Sequence, residues 1–157
     1  MKIISGAAAI FFVLLALVPI KASAQCDQFI GKVLSKHLRP VIENADCPLP
    51  GLDKKGHNLV GVCYQSSGPT SHIIIDTHLN CYASGESVVS KLFGAKNAPS
   101  VSENVSVEAD VNGADCHLNY VNIKPSGELG KVLAALFDAN GKARVALEQG
   151  LADACKK

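Results

Sequence analysis

Between Val101 and Val111 the apolar residues fall on nearly every second position. Val101, Val105, Val107, Ala109 and Val111 alternate with Ser102, Asn104, Ser106, Glu108 and Asp110. Successive strand side chains point to opposite faces, so this stretch predicts a strand with one buried and one wet face. Asn112-Gly113 follows and predicts a two-residue hairpin turn. Such a turn pairs Val111 with Ala114, Ala109 with Cys116, Val107 with Leu118 and Val105 with Tyr120, so Cys116, Leu118 and Tyr120 are expected on the core face. Residues 59–64 and 72–82 predict two further strands, with Ser66-Ser67-Gly68-Pro69 as the turn between them. In the second of these, Ile73, Ile75, Thr77, Leu79 and Cys81 share one face, and His72, Ile74, Asp76, His78 and Asn80 share the other.

The period changes elsewhere. Over residues 27–45, Ile30, Val33, Leu34, His37, Leu38, Val41 and Ile42 recur at helical spacing. Pro40 inside this stretch removes a backbone donor, so a kink or break is expected near Arg39. Residues 84–94 predict a short helix with Ser84 as N-cap, Glu86 in the first turn, Lys91 in the last and Gly94 just past its end. Residues 128–155 predict one long helix. Leu129, Val132, Leu133, Leu136, Ala143, Leu147, Leu151 and Ala154 form its stripe, with a bend at Asn140-Gly141. The order α, β, β, short α, β, β, α predicts an α+β domain: a four-stranded antiparallel sheet covered by N- and C-terminal amphipathic helices.

Residues 1–24 stand apart. Lys2 precedes a nearly unbroken apolar run, Pro19 ends it, and Ala22-Ser23-Ala24 offers small residues for cleavage before Gln25. That layout predicts a secretory signal peptide, leaving residues 25–157 as a single domain. No later run is long and apolar enough to span a membrane. Cleavage removes Lys2 and Lys21 and takes the net charge from +1 to about −1. An electrostatic nucleic-acid binder needs several cations on phosphates, so that class is not expected.

All six cysteines, Cys26, Cys47, Cys63, Cys81, Cys116 and Cys155, follow the cleavage site. In an oxidising compartment, extracellular or periplasmic, they are expected to pair as structural staples. In a hairpin centred near Gly68, Cys63 lies opposite about Ile73. Cys81 is then about 26 Å further along the strand. A disulfide needs Cα atoms within about 7 Å, so Cys63–Cys81 is disfavoured. Cys116 on the core face and Cys155 in the last helical turn form the favoured pair, and the first four cysteines pair among themselves. No C-x-x-C is present, so no redox role is expected. The mature chain has no Trp or Met, so aliphatic residues must build its core, with the disulfides compensating for a small aromatic contribution.

Candidate chemistry is sparse. His72, Asp76 and His78 share a strand face as a possible metal or base–orienter set, weighed against an ordinary solvated face. His37 lies on an apolar helix stripe and reads as a hydrogen-bonded core histidine; His57 and His117 have no partner in the sequence. Asp138-Ala139-Asn140-Gly141-Lys142 fails as a calcium loop, because Lys142 occupies its fifth position and the glycine comes early. No nucleophile elbow, zincin motif or phosphate-binding glycine loop occurs. Asn104-Val105-Ser106 is a glycosylation sequon that has meaning only in a eukaryotic host.

The alternating strand from Val101, Cys116, the strand ending at Ile123 and Gly127-Glu128-Leu129-Gly130 opening a helix that ends in Cys155 together resemble part of the tubular lipid-binding superfamily. That is the group of bactericidal/permeability-increasing protein. The resemblance covers about residues 101–155. It implies a strand–helix disulfide, a curved sheet wrapped on a long helix and a groove for acyl chains. Two expectations follow. The first is a secreted, non-enzymatic domain without a cofactor that binds a lipid or other apolar ligand between sheet and helix, at Val105, Val107, Leu118, Leu129, Leu133, Leu136 and Leu147. The second is an interaction or inhibitor module for an extracellular protein. It would present loops 65–71 and 91–100 on a disulfide scaffold, and an exposed patch at Val89, Leu92 and Phe93 would favour it.

Overall fold

The computed structural model describes residues 25–47, 49–84, 88–93, 99–124 and 127–156. The signal segment, the Gly94 helix end and most of the linker after it lie outside the described residues. The elements run α1 (Gln28–Glu43), β1 (Lys54–Lys55), β2 (Asn58–Ser67), β3 (Thr70–Tyr82), α2 (Val88–Phe93), β4 (Ser100–Asn112), β5 (Leu118–Lys124), α3 (Glu128–Leu136) and α4 (Lys142–Cys155). Short β1 and long β2 lie along the same edge of β3, and β4 and β5 follow on its other side. The result is an antiparallel meander four strands wide. The class is α+β, stapled by disulfides.

The two faces of β3 divide as its alternation requires. Ile73, Ile75, Thr77, Leu79 and Cys81 are buried, and the opposite set is exposed or half-buried. Gly68 at φ +69 and Pro69 make the two-residue turn from β2 to β3, with Ser67 opposite Thr70. Glycine takes this left-handed corner without a Cβ penalty. Asp27 starts α1, its carboxylate accepting the N–H groups of Phe29 and Ile30 at 2.9 Å. Leu34, Leu38 and Ile42 are fully buried under that helix. A Cβ on Gly31 would stand 2.7 Å from the Val62 carbonyl oxygen, so only glycine allows α1 this close to β2.

Four expectations are corrected or fall partly outside the described residues. First, α1 runs through Pro40 without a break. Pro40 sits on the exposed side near the helix end, and the buried pair Leu38 and Ile42 on either side holds the chain helical. Second, the short second helix is Val88–Phe93 among the described residues, and its expected first turn with Glu86 lies outside them. The Ser84 N–H and hydroxyl both donate to Asp53 at 2.6 Å.

Third, the β4–β5 loop is longer than two residues. Asn112 Oδ1 accepts the Ala114 N–H, the Asn112 carbonyl accepts the Cys116 N–H, and the Asn112 N–H donates to the His117 carbonyl. This local Asx geometry competes with the tight turn and moves the register to Val111 opposite Leu118. A bulge then puts Tyr120 opposite Asp110, so Tyr120 faces solvent at 58% exposure instead of the core. Cys116 sits in the loop at φ +57 and not on the strand.

Fourth, the C-terminal helix is two helices. The chain breaks over residues 137–141, where Asp138 accepts the Asn140 N–H on its side chain and the Gly141 N–H on its carbonyl. That break lets α4 fold back against α1. His37 Nε2 meets Asp153 there at 3.1 Å, so the histidine's partner is a carboxylate across the helix interface.

The disulfides are Cys26–Cys63, Cys47–Cys81 and Cys116–Cys155. They tie the start of α1 to β2, the loop after α1 to the end of β3, and the β4–β5 loop to the end of α4.

Candidate functional site

The apolar interior between sheet and helices is filled. Val105, Val107, Leu118, Leu129, Leu133 and Leu147 are each at most 2% exposed and pack in one core. Of the seven expected ligand contacts, only Leu136 remains partly accessible. A ligand seat between sheet and helix is therefore replaced by close packing.

The open space lies outside, where the end of α1 and the loop after it face α3. A groove of about 580 Å³ there is lined by residues including Pro40, Val41, Ala45, Ala135, Leu136 and Gly141. A neighbouring groove of about 500 Å³ is lined by Leu49, Val132 and Lys131 among others. The two share Asp46, Ala135 and Leu136, and so form one trough. The sequence Val132-Leu133-Ala134-Ala135-Leu136 explains it. Leu129 and Leu133 point one helix face into the core, and the same apolar run leaves Val132, Ala135 and Leu136 on a second, outer stripe. A stripe wider than one buried face was the available signal. The trough's floor is aliphatic, while Asp46, Glu128, Lys131, Asp138 and Lys142 stand along it.

The outer sheet face is polar and paired across strands. His72 Nδ1 meets Asp110 at 2.6 Å, the Ser106 hydroxyl donates to Asp76 at 2.9 Å, and His78 Nδ1 meets Asn104 at 2.8 Å. Each expected metal candidate on β3 is thus engaged with its β4 neighbour. Among the described residues, His72, Asp76 and His78 do not converge as a ligand set.

Of the two histidines that sequence reasoning left without a partner, His57 is the one the fold encloses. It is buried at 8% exposure. Its Nδ1 accepts the Asn80 backbone N–H at 3.1 Å, and its Nε2 lies 3.8 Å from Cys47 Sγ. Burial, helped by the Lys55 charge, pushes its pKa below the ordinary 6.5, against a backbone hydrogen bond to Ala45 and the Asp46 charge. The unfolded chain takes up this proton near pH 6.5, and the folded chain only at lower pH. The stabilisation is therefore complete above pH 6.5 and is lost as pH falls through the folded value. Thermal melts from pH 7.5 to 5 are expected to show a falling Tm that flattens in His57→Asn, whose side-chain oxygen keeps the acceptor but does not titrate.

A disulfide-stapled α+β domain with a filled core, an external apolar trough and a polar sheet face is the class of protein these features define. The family model described as Y4fE matches residues 57–155, and the chain belongs to that family. No curated protein and no solved structure matches the chain. The three disulfides are compatible with an extracellular or periplasmic location, and no helix among the described residues is long and apolar enough to cross a membrane.

Proposed function

We propose that the protein is secreted and binds a single-chain amphiphile, such as a fatty acid or lysolipid, in the trough between α1 and α3. The observation that carries this reading is the half-buried apolar row Val41, Leu49, Val132 and Leu136, left unfilled by any segment among the described residues. Its volume falls in the range of small-ligand sites, roughly 300–1,000 Å³. With the interior filled, this reading seats the ligand on the outer side of α3. An acyl chain would lie along the aliphatic floor, with its polar head at the charged rim near Lys131 or Lys142.

A second reading rests on α2. Val88 and Leu92, one helical turn apart, are 72% and 77% exposed and form an apolar knob suited to a partner protein. The Val89 and Phe93 side chains lie outside the described residues.

Titration with cis-parinaric acid, followed by displacement with saturated fatty acids, separates the two readings. Saturable binding that weakens at least about tenfold in Leu136→Asp and in Ala135→Trp, which fills the trough, is expected; tenfold is about 1.4 kcal/mol. No saturable binding to the folded wild-type protein would overturn the trough reading and leave the α2 knob.

A further inference from the structure

Cys47, His57 and Cys81 are the only three ligating side chains whose donor atoms converge within 4.8 Å among the described residues. The two sulfurs are joined as a disulfide. Because His57 Nδ1 accepts the Asn80 N–H, the proton of the neutral ring sits on Nε2, the nitrogen 3.8 Å from Cys47 Sγ. The Nε2–H is shared: the Ala45 carbonyl draws it, and Cys47 Sγ stands within its reach, so the sulfur meets an N–H and not a lone pair. A metal-ligating imidazole needs its other nitrogen to donate, and here that nitrogen accepts, so this arrangement disfavours a metal. It suits a thiolate, which a nearby N–H donor stabilises. The sulfurs also differ in access. Cys81 is fully buried, and Cys47 is half-buried on the loop bordering the trough.

We propose that Cys47–Cys81 is a thiol–disulfide exchange centre, with Cys47 as the interchange sulfur, Cys81 as its buried partner and His57 as the donor that stabilises the Cys47 thiolate. The co-reactant is a polypeptide dithiol in the same compartment. One partner thiolate attacks Cys47 Sγ; the Cys47–Cys81 bond breaks and Cys81 leaves as a thiolate. The second partner thiolate then attacks the partner sulfur of this mixed disulfide and displaces the Cys47 thiolate onto the His57 Nε2–H. The partner departs as a disulfide. Of the two protons its thiols released, one goes to Cys81 and the other to solvent while Cys47 stays a thiolate, and two electrons have passed to the pair. The cysteines are 34 residues apart, so the usual C-x-x-C search does not find them. The inference stands apart from ligand binding in the trough.

The test equilibrates the oxidised protein in buffers of reduced and oxidised glutathione, quenches with acid, alkylates and maps every cysteine by peptide mass. Cys47 and Cys81 are expected to reach half-reduction together at a glutathione ratio about tenfold less reducing than the other two pairs need. A glutathione adduct is expected on Cys47 and not on Cys81. In the reduced protein, the rate of Cys47 alkylation is expected to show a pH midpoint below the free-thiol value of about 8.5. His57→Asn keeps an acceptor for the Asn80 N–H and removes the Nε2 donor, so it should return that midpoint toward the free-thiol value. If the variant does not fold, the wild-type profile decides. A wild-type midpoint at or above the free-thiol value, an adduct on Cys81, or three disulfides that open together only on unfolding would overturn the proposal.

Discussion

Replacing Cys116 and Cys155 together by alanine is expected to lower stability by about 4 kcal/mol. Their bond closes a loop of 39 residues, and freeing that loop in the unfolded chain gives this figure in the chain-entropy account. The loss should be smaller in one particular replacement. Cys116 is held at φ +57, a left-handed conformation that costs a residue with a Cβ about 1 kcal/mol. Cys116→Gly with Cys155→Ala loses the same loop closure but relieves that strain. It should therefore recover about 1 kcal/mol relative to the double alanine protein. Guanidinium denaturation of the three proteins, compared at equal m-values, measures both quantities. Equal stability of the two double variants would remove the strain argument and leave the loop argument standing.

Gly141→Ala is expected to cost about 3 kcal/mol, at the upper end for overpacking a close-fitted site. A Cβ at Gly141 would overlap the carbonyl group of Leu136 and crowd that of Ala135. Both obstacles are backbone, so neither can rotate away, and the whole break between α3 and α4 must shift. The φ of −70 at Gly141 is ordinary, so the effect is one of space and not of conformation. Gly61→Ala is the natural control. Its Cβ would enter open space within the same sheet-and-helix domain, and stability should change by less than about 0.5 kcal/mol. Thermal denaturation of the two variants beside the wild type reads the difference directly. Because Gly141 also lines the trough, the alanine variant should bind the amphiphile more weakly even at temperatures where it remains folded.

How much of the molecule was legible follows the range of each signal. Strand periodicity is local and strong, so the division of β3, and of β4 from Val105 onward, into buried and wet faces was readable; Val101, expected on the buried face, is exposed at the strand's start. The β4–β5 register was not. The Asn-Gly signal competes with the side-chain hydrogen bonds of Asn112 and Asp115, and only the closed loop shows which prevails. Pro40 misled for the opposite reason: its local cost is real, but the burial of Leu38 and Ile42 in a distant core outweighs it. The apolar residues expected to touch a ligand were correctly marked as inward-facing. Periodicity cannot distinguish a lined cavity from a filled core, because both require the same residues. Nor could it bring His57 to Cys47 and Cys81, since those positions meet only through the pairing of β1 and β2 with β3.

The sequence by itself determined the class of fold, the inward faces of β3, most of β4 and the helices, and the six cysteines that staple the domain, because each is written in spacing of two or 3.6 residues or in residue chemistry. Tertiary structure alone decided that the C-terminal helix breaks in two and lays its second half against α1, that the interior is full, that the open apolar surface lies outside α3 and that a buried imidazole lies against one disulfide. Those outcomes depend on which distant segments compete for the same space, and no local pattern along the chain records that competition.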